Sequence, residues 1–201
     1  WQACSTATVV QWEPGRYGEN WLDTCFENVT RAMEIDPDDA EVHRILGAIR
    51  MFKREFDASL FHHEKARDLC PSDPYIRFKY ATVLIYTGDS EKALEEIKAG
   101  KRLDPFCPDY LLEDEGICYY WLNKFEESVE SFGKLQVPSR NSLFYLAATY
   151  SKQGESKEAK ASLAEAVSVS NLTISDFINT QYYKSEDNIN SLRMTLEGIA
   201  A

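Results

Sequence analysis

No apolar run in this chain comes near the ~20 residues that a membrane-spanning helix needs, and no basic-then-apolar leader is read at its N-terminus. Positive charge is scarce: 22 Lys and Arg stand against 33 Asp and Glu, a net charge of −11. Nucleic acid and anionic bilayers are therefore excluded as expected partners on electrostatic grounds. The phosphate-binding pattern G-x-x-x-x-G-K-[ST], the nucleophile elbow G-x-S-x-G and the zinc pattern H-E-x-x-H are all missing. The five cysteines, Cys4, Cys25, Cys70, Cys107 and Cys118, are odd in number and form no C-x-x-C pair. Nor do they cluster with His43, His62 or His63 at metal-ligand spacing, so no metal and no cofactor is expected. We read them as reduced, small buried hydrophobes of a cytoplasmic protein. The sequons at Asn28 and Asn171 would matter only in a secreted chain and are read as chance.

What is present is enough apolar material for a sizeable core, 44% hydrophobic and 12% aromatic over 201 residues. The chain starts at Trp1 rather than Met, which suggests a fragment of something longer. Its most informative stretch is "KRLDPFCPDY", with Pro105 and Pro108 three residues apart after a charge-rich helical segment. Proline ends a helix or sits in the first turn of a new one, so Pro105 reads as a stop and Pro108 as a start. The stop recurs. "AMEIDPDD", "ARDLCPSD" and "GKRLDPFC" place Pro37, Pro71 and Pro105 at intervals of 34 residues, each with a small residue five positions earlier: Ala32, Ala66 and Gly100.

This period resembles the tetratricopeptide repeat, a helix-turn-helix unit that stacks into a right-handed superhelix. The second unit supplies Leu46, Gly47, Phe56 and Ala66 at the family's positions, and the third Ala81, Gly88 and Ala93. The fourth keeps Gly116, Tyr119, Phe125 and Phe132, and the fifth Leu146, Ala147, Tyr150, Gly154, Ala159 and Ala166. Small residues let paired helices approach, and glycine at the inter-helix turn admits a left-handed cap. Arg50 and Leu84 depart from the usual tyrosine, and "EPGRYGEN" enlarges the first loop. The resemblance implies an all-α, α-α superhelix of about five hairpins plus a C-terminal capping helix. One domain over residues 1–201 is expected: an irregular first repeat at 1–37, repeats at 38–71, 72–105, 106–138 and 139–171, and a capping segment at 172–201. Within that last segment Ile189, Leu192, Leu196 and Ile199 share one helical face behind a cap at Ser185.

A narrower resemblance runs from "KRLDPFCPDYLLEDEGICYYWLNKFEESVESFGKL" through "LFYLAATYSKQGESKEAKASLAEA" to "INSLRMTLEGIAA". It is similar to the C-terminal repeat region of bacterial signalling proteins that carry class III adenylate or guanylate cyclase domains. Gly116, Tyr119, Phe125 and Glu126 approximate the family's helix-A pattern, with Tyr119 displaced by one. Leu146, Ala147, Ala148, Tyr150, Gly154, Glu158 and Ala159 meet its later phrase. The cyclase's metal-binding aspartates cannot be placed, because repeats account for every segment. No enzyme activity is expected of this chain.

The paired acids Asp38/Asp39, Glu95/Glu96, Asp114/Glu115 and Glu126/Glu127 are read as solvated faces or helix-start charges. Binding is the expected function. The repeat register places Arg44, Met51 and Phe52, then Tyr75, Phe78, Thr82 and Tyr86, on the concave side. It adds Tyr110, Glu113, Ile117, Tyr120 and Trp121, then Phe144, Ala148, Ser151 and Lys152. Such an aromatic groove suits a protein or peptide partner, or the catalytic domain of a larger parent. Tyr86 and Tyr120 are expected to face solvent. The lysine-asparagine clamp of chaperone-binding members is absent, since those positions hold Arg44/Ala48, Phe78/Thr82, Glu113/Ile117 and Phe144/Ala148. The alternatives are a homodimerisation element that pairs parent catalytic domains, and a small-ligand sensor.

Overall fold

The computed structural model describes residues 21–106 and 108–200, and among them the chain is all helix and turn. Eleven helices follow one another: α1 (Trp21–Ile35), α2 (Ala40–Phe52), α3 (Phe56–Leu69), α4 (Pro74–Thr87), α5 (Ser90–Leu103) and α6 (Tyr110–Trp121). Then come α7 (Phe125–Phe132), α8 (Arg140–Gln153), α9 (Ser156–Ser170), α10 (Ile174–Asn179) and α11 (Glu186–Ala200). The expected loop "EPGRYGEN", Cys4 and Cys107 lie outside the described residues. The chain divides into two compact units, with the boundary inside α4 between Val83 and Leu84.

The proline period sets the helix ends. α1, α3 and α5 stop at Ile35, Leu69 and Leu103, each two residues before Pro37, Pro71 and Pro105. Pro108 lies just outside α6, ahead of the N-cap residue Asp109, rather than in its first turn. The turn between paired helices carries a left-handed residue every time: Arg54 (φ 58°), Gly88 (φ 96°), Asn123 (φ 57°) and Gly154 (φ 83°). Glycine reaches that conformation without strain, whereas Arg54 holds the same place at a steric cost.

In the first unit, Cys25 and Val29 of α1 pack with Val42, Ile45, Leu46 and Ile49 of α2. Asp39 caps α2 by accepting from the Glu41 and Val42 amides at 2.8 and 3.1 Å. Between α2 and α3 the approach is set by Gly47, where an added Cβ would fall 2.1 Å from Nδ1 of His63. The Ser59 hydroxyl donates to the Gly47 carbonyl at 2.8 Å. In the second unit Ser128 donates to the Gly116 carbonyl at the same distance, and a Cβ on Gly116 would meet the Phe132 ring at 2.6 Å. Ala147 and Ala159 hold the equivalent positions in the next pair of that unit and are buried, as are Ala81 and Ala93. Helix pairs this close need a hydrogen atom or a methyl at the crossing.

Two acidic residues expected at the solvent are buried. Glu96 is 7% exposed, and Glu115 receives Nζ of Lys101 at 2.7 Å, with Ser131 at 3.4 Å. A buried carboxylate is tolerable because these partners replace water. After residue 171 there are two helices where one was expected. Thr173 and Asp176 form a capping box for α10. Ser185 caps α11, whose buried residues are the expected four, Ile189, Leu192, Leu196 and Ile199. Cys25, Cys70 and Cys118 are free thiols.

Candidate partner-binding site

The aromatic positions of the second unit come from the last turn of α4, from α6 and from α8. They do not line an open groove. The segment joining α10 to α11, residues 180–185, lies across them as a strap, and its Tyr183 is 1% exposed. The Tyr183 hydroxyl accepts from Nε1 of Trp121 at 2.8 Å and shares a 2.5 Å hydrogen bond with the Tyr145 hydroxyl. Its ring stands 5.0 Å from that of Tyr86 and 5.2 Å from Trp121. The Lys184 amide donates to the Tyr86 carbonyl at 2.8 Å, one of the carbonyls that the end of α4 leaves without a helical partner. Tyr182 stands edge-on to Tyr86, and Phe177 of α10 stacks on Phe144 with centroids 4.1 Å apart.

This placement corrects several expectations. Tyr120, expected in solvent, is 3% exposed and packs edge-to-face with Trp121 and Tyr145 at 5.0 and 5.5 Å. Tyr86 is half-buried under the strap tyrosines rather than free. Ile117, Phe144 and Ala148 are core residues. They were expected on the concave side; they are buried instead, Phe144 under Phe177 of α10. Tyr110 is half-buried, as is Ser151, and Lys152 is exposed. Ser151 and Lys152 border an open depression against α11 at Asp187, Asn190, Met194 and Gly198.

Burial sets the protonation states. Desolvation pushes the Tyr120 hydroxyl up to about 12 and raises those of Tyr86, Tyr145 and Tyr183 as well, so all are neutral donors and acceptors. Glu113 of α6 is raised by desolvation, against hydrogen bonds from the Ser139 hydroxyl and from Nδ2 of Asn141 at 3.0 Å. Gln181, at the start of the strap, reaches Oδ1 of Asn141 at 3.4 Å. The site is thus built to hold aromatic rings with polar tips and main chain. It offers no activated nucleophile.

In the first unit the expected positions behave differently. Arg44 is buried, forks to Glu41 at 2.7 and 2.5 Å, and lies 5.0 Å from the Tyr75 ring, whose other neighbour is Nζ of Lys79 at 5.3 Å. Tyr75 keeps 38% exposure. Met51 and Phe78 are buried rather than presented, Phe52 packs edge-to-face on Trp21, and the Thr82 hydroxyl donates back to the Phe78 carbonyl. His62 meets His43 across the helix pair, Nδ1 to Nδ1 at 2.9 Å. Because Nε2 of His43 faces the Pro37 carbonyl at 3.0 Å it must carry the proton, so His62 is the donor between the rings. No group of three or more His, Cys, Asp or Glu among the described residues is placed to hold a metal. No described helix is long and apolar enough to cross a membrane.

Sequence reasoning missed Tyr145, Phe177, Tyr182 and Tyr183. The one available signal was the doublet Tyr182-Tyr183 inside "NTQYYKSED", an aromatic pair in an otherwise polar linker.

Residues 141–169, covering α8 and most of α9, match the family model described as tetratricopeptide repeat. Solved structures extend the likeness in fold to as much as 98% of the chain. PilW, a type IV pilus biogenesis factor, superimposes with a TM-score of 0.73 at 14% identity, over 98% of this chain and 88% of its own. This is a tetratricopeptide-repeat fold. A thermophilic repeat protein of Thermus thermophilus superimposes at 0.65 with 19% identity, over 98% of each chain. YrrB, a repeat protein with an unusual peptide-binding site, superimposes at 0.56 with 16% identity, over 85% of this chain and 90% of its own. No curated protein matches by sequence.

Proposed function

We propose that this chain is a non-catalytic scaffold that binds a protein or peptide partner through its helix-A faces. One observation carries the reading: the face formed by Tyr86, Trp121 and Tyr145 already holds a non-helical segment, through a tyrosine side chain and a main-chain amide. Rings with polar tips and an orphan helix-end carbonyl are the chemistry of peptide recognition. The repeat fold supports it, and so does the peptide-binding site named for YrrB. Tyr75, Thr82, Tyr110, Ser151 and Lys152 are the remaining candidate contacts, since each keeps some exposure. The finer placement, as a cytoplasmic regulatory part of a larger signalling protein such as a nucleotide cyclase, rests on the sequence resemblance alone, which covers roughly residues 20–201 and is strongest between 101 and 166.

The test is selection of peptides from a random library on the full chain, followed by calorimetry with Lys152→Glu and Tyr110→Ala. Both variants should keep the melting temperature, and one or both should weaken the selected peptide about tenfold. Selected peptides that bind both variants as they bind the parent chain would move recognition off these faces. A chain that selects none and is a dimer by native mass would favour the pairing reading.

A further inference from the structure

We propose that the strap, residues 180–185, is an intramolecular ligand, and that the face beneath it is a binding site for a non-helical peptide segment that presents a tyrosine. This deepens the scaffold reading and rests on it.

Two observations point the same way. First, the polar tips under the strap converge on one atom: Nε1 of Trp121 and the hydroxyl of Tyr145 both meet the Tyr183 hydroxyl, at 2.8 and 2.5 Å. Leu or Ile in its place would leave the Trp121 N–H and the buried Tyr145 hydroxyl without that partner, so the face itself selects a tyrosine. Second, the strap docks by its main chain, the Lys184 amide giving its hydrogen to the Tyr86 carbonyl at 2.8 Å. Any peptide can supply that bond. The contacts therefore describe a tyrosine followed by a free main-chain amide in non-helical backbone, which a partner can present in trans once the strap lifts. A tethered ligand competes at high effective concentration, which makes the strap a guard as well as a template.

The experiment uses the full chain. Native-state hydrogen exchange should show the Lys184 amide opening about 100-fold faster than the mid-helix amides of α6 and α8, because a tethered ligand leaves without unfolding its site. Exchange of Lys184 at the rate of those amides would make the strap a fixed part of the core and overturn the proposal, whatever the variants do. A labelled peptide of the strap sequence, Thr-Gln-Tyr-Tyr-Lys-Ser, is then titrated onto the parent chain and onto Tyr183→Phe and Tyr183→Ala. Binding should be about tenfold tighter to a folded variant than to the parent, and about tenfold weaker for a peptide with Phe at its second tyrosine. Equal binding of the two peptides, or none to a variant that keeps its helical dichroism, would sink the idea. A dimer appearing only in the variants would assign the site to a second copy instead. Peptides that bind at Lys152 or Tyr110 while the strap stays closed would leave the scaffold reading standing and remove only this one.

Discussion

Trp121 and Tyr183 stand 62 residues apart in the chain, yet the indole Nε1 donates to the phenol oxygen at 2.8 Å. The bond joins α6 to a non-helical linker. A double-mutant cycle of Trp121→Phe and Tyr183→Phe in urea unfolding should give a coupling energy of about 0.5–3 kcal/mol. Additive single effects would show that the two side chains pack side by side without a shared bond.

Tyr120 and Lys152 should separate core from surface. Tyr120→Ala removes a ring that is 3% exposed and set between Trp121 and Tyr145, and should cost about 3–5 kcal/mol. Lys152→Ala, at an exposed position, should stay within about 0.5 kcal/mol. Thermal unfolding of the two variants checks both.

Gly47 and Gly116 are the points of closest helix approach. A methyl on Gly47 meets the buried imidazole of His63, and one on Gly116 meets the Phe132 ring. Either alanine variant should lose about 1–3 kcal/mol by denaturant unfolding. Gly198, with open space around its Cβ direction, should accept alanine without loss and serves as the control.

Stability should fall with acid over a defined window. Desolvation holds His63 down at about 4, and desolvation, together with His43 and Arg50, does the same for His62, against 6.5 for a free imidazole. Below pH 6.5 the unfolded chain takes up protons that the folded one refuses. The stabilisation is therefore complete above 6.5 and is lost as pH falls toward 4, by about 3 kcal/mol for the fully buried His63. Unfolding free energies at pH 7 and 4.5 should differ less in His63→Leu than in the parent chain. An unchanged pH slope in that variant would mean that His63 is not the titrating group.

What the sequence determined by itself was the helical register. The 34-residue proline period, the small residues at 47, 81, 116 and 147, and the apolar face of α11 all follow from local geometry, because 3.6-residue periodicity and chain stops need no distant partner. That register says which face of α6 and α8 points inward, and it is silent on what lies against it. Tyr86, Tyr120 and Phe144 were legible as members of one face; that the strap meets Tyr86, α10 meets Phe144 and α11 meets Tyr120 was not. Arg54 in a left-handed turn, the His43–His62 pair and the burial of Glu115 are of the same kind. Only the tertiary structure decided them, because each depends on side chains brought together by packing, and packing is set by the whole chain rather than by any window of it.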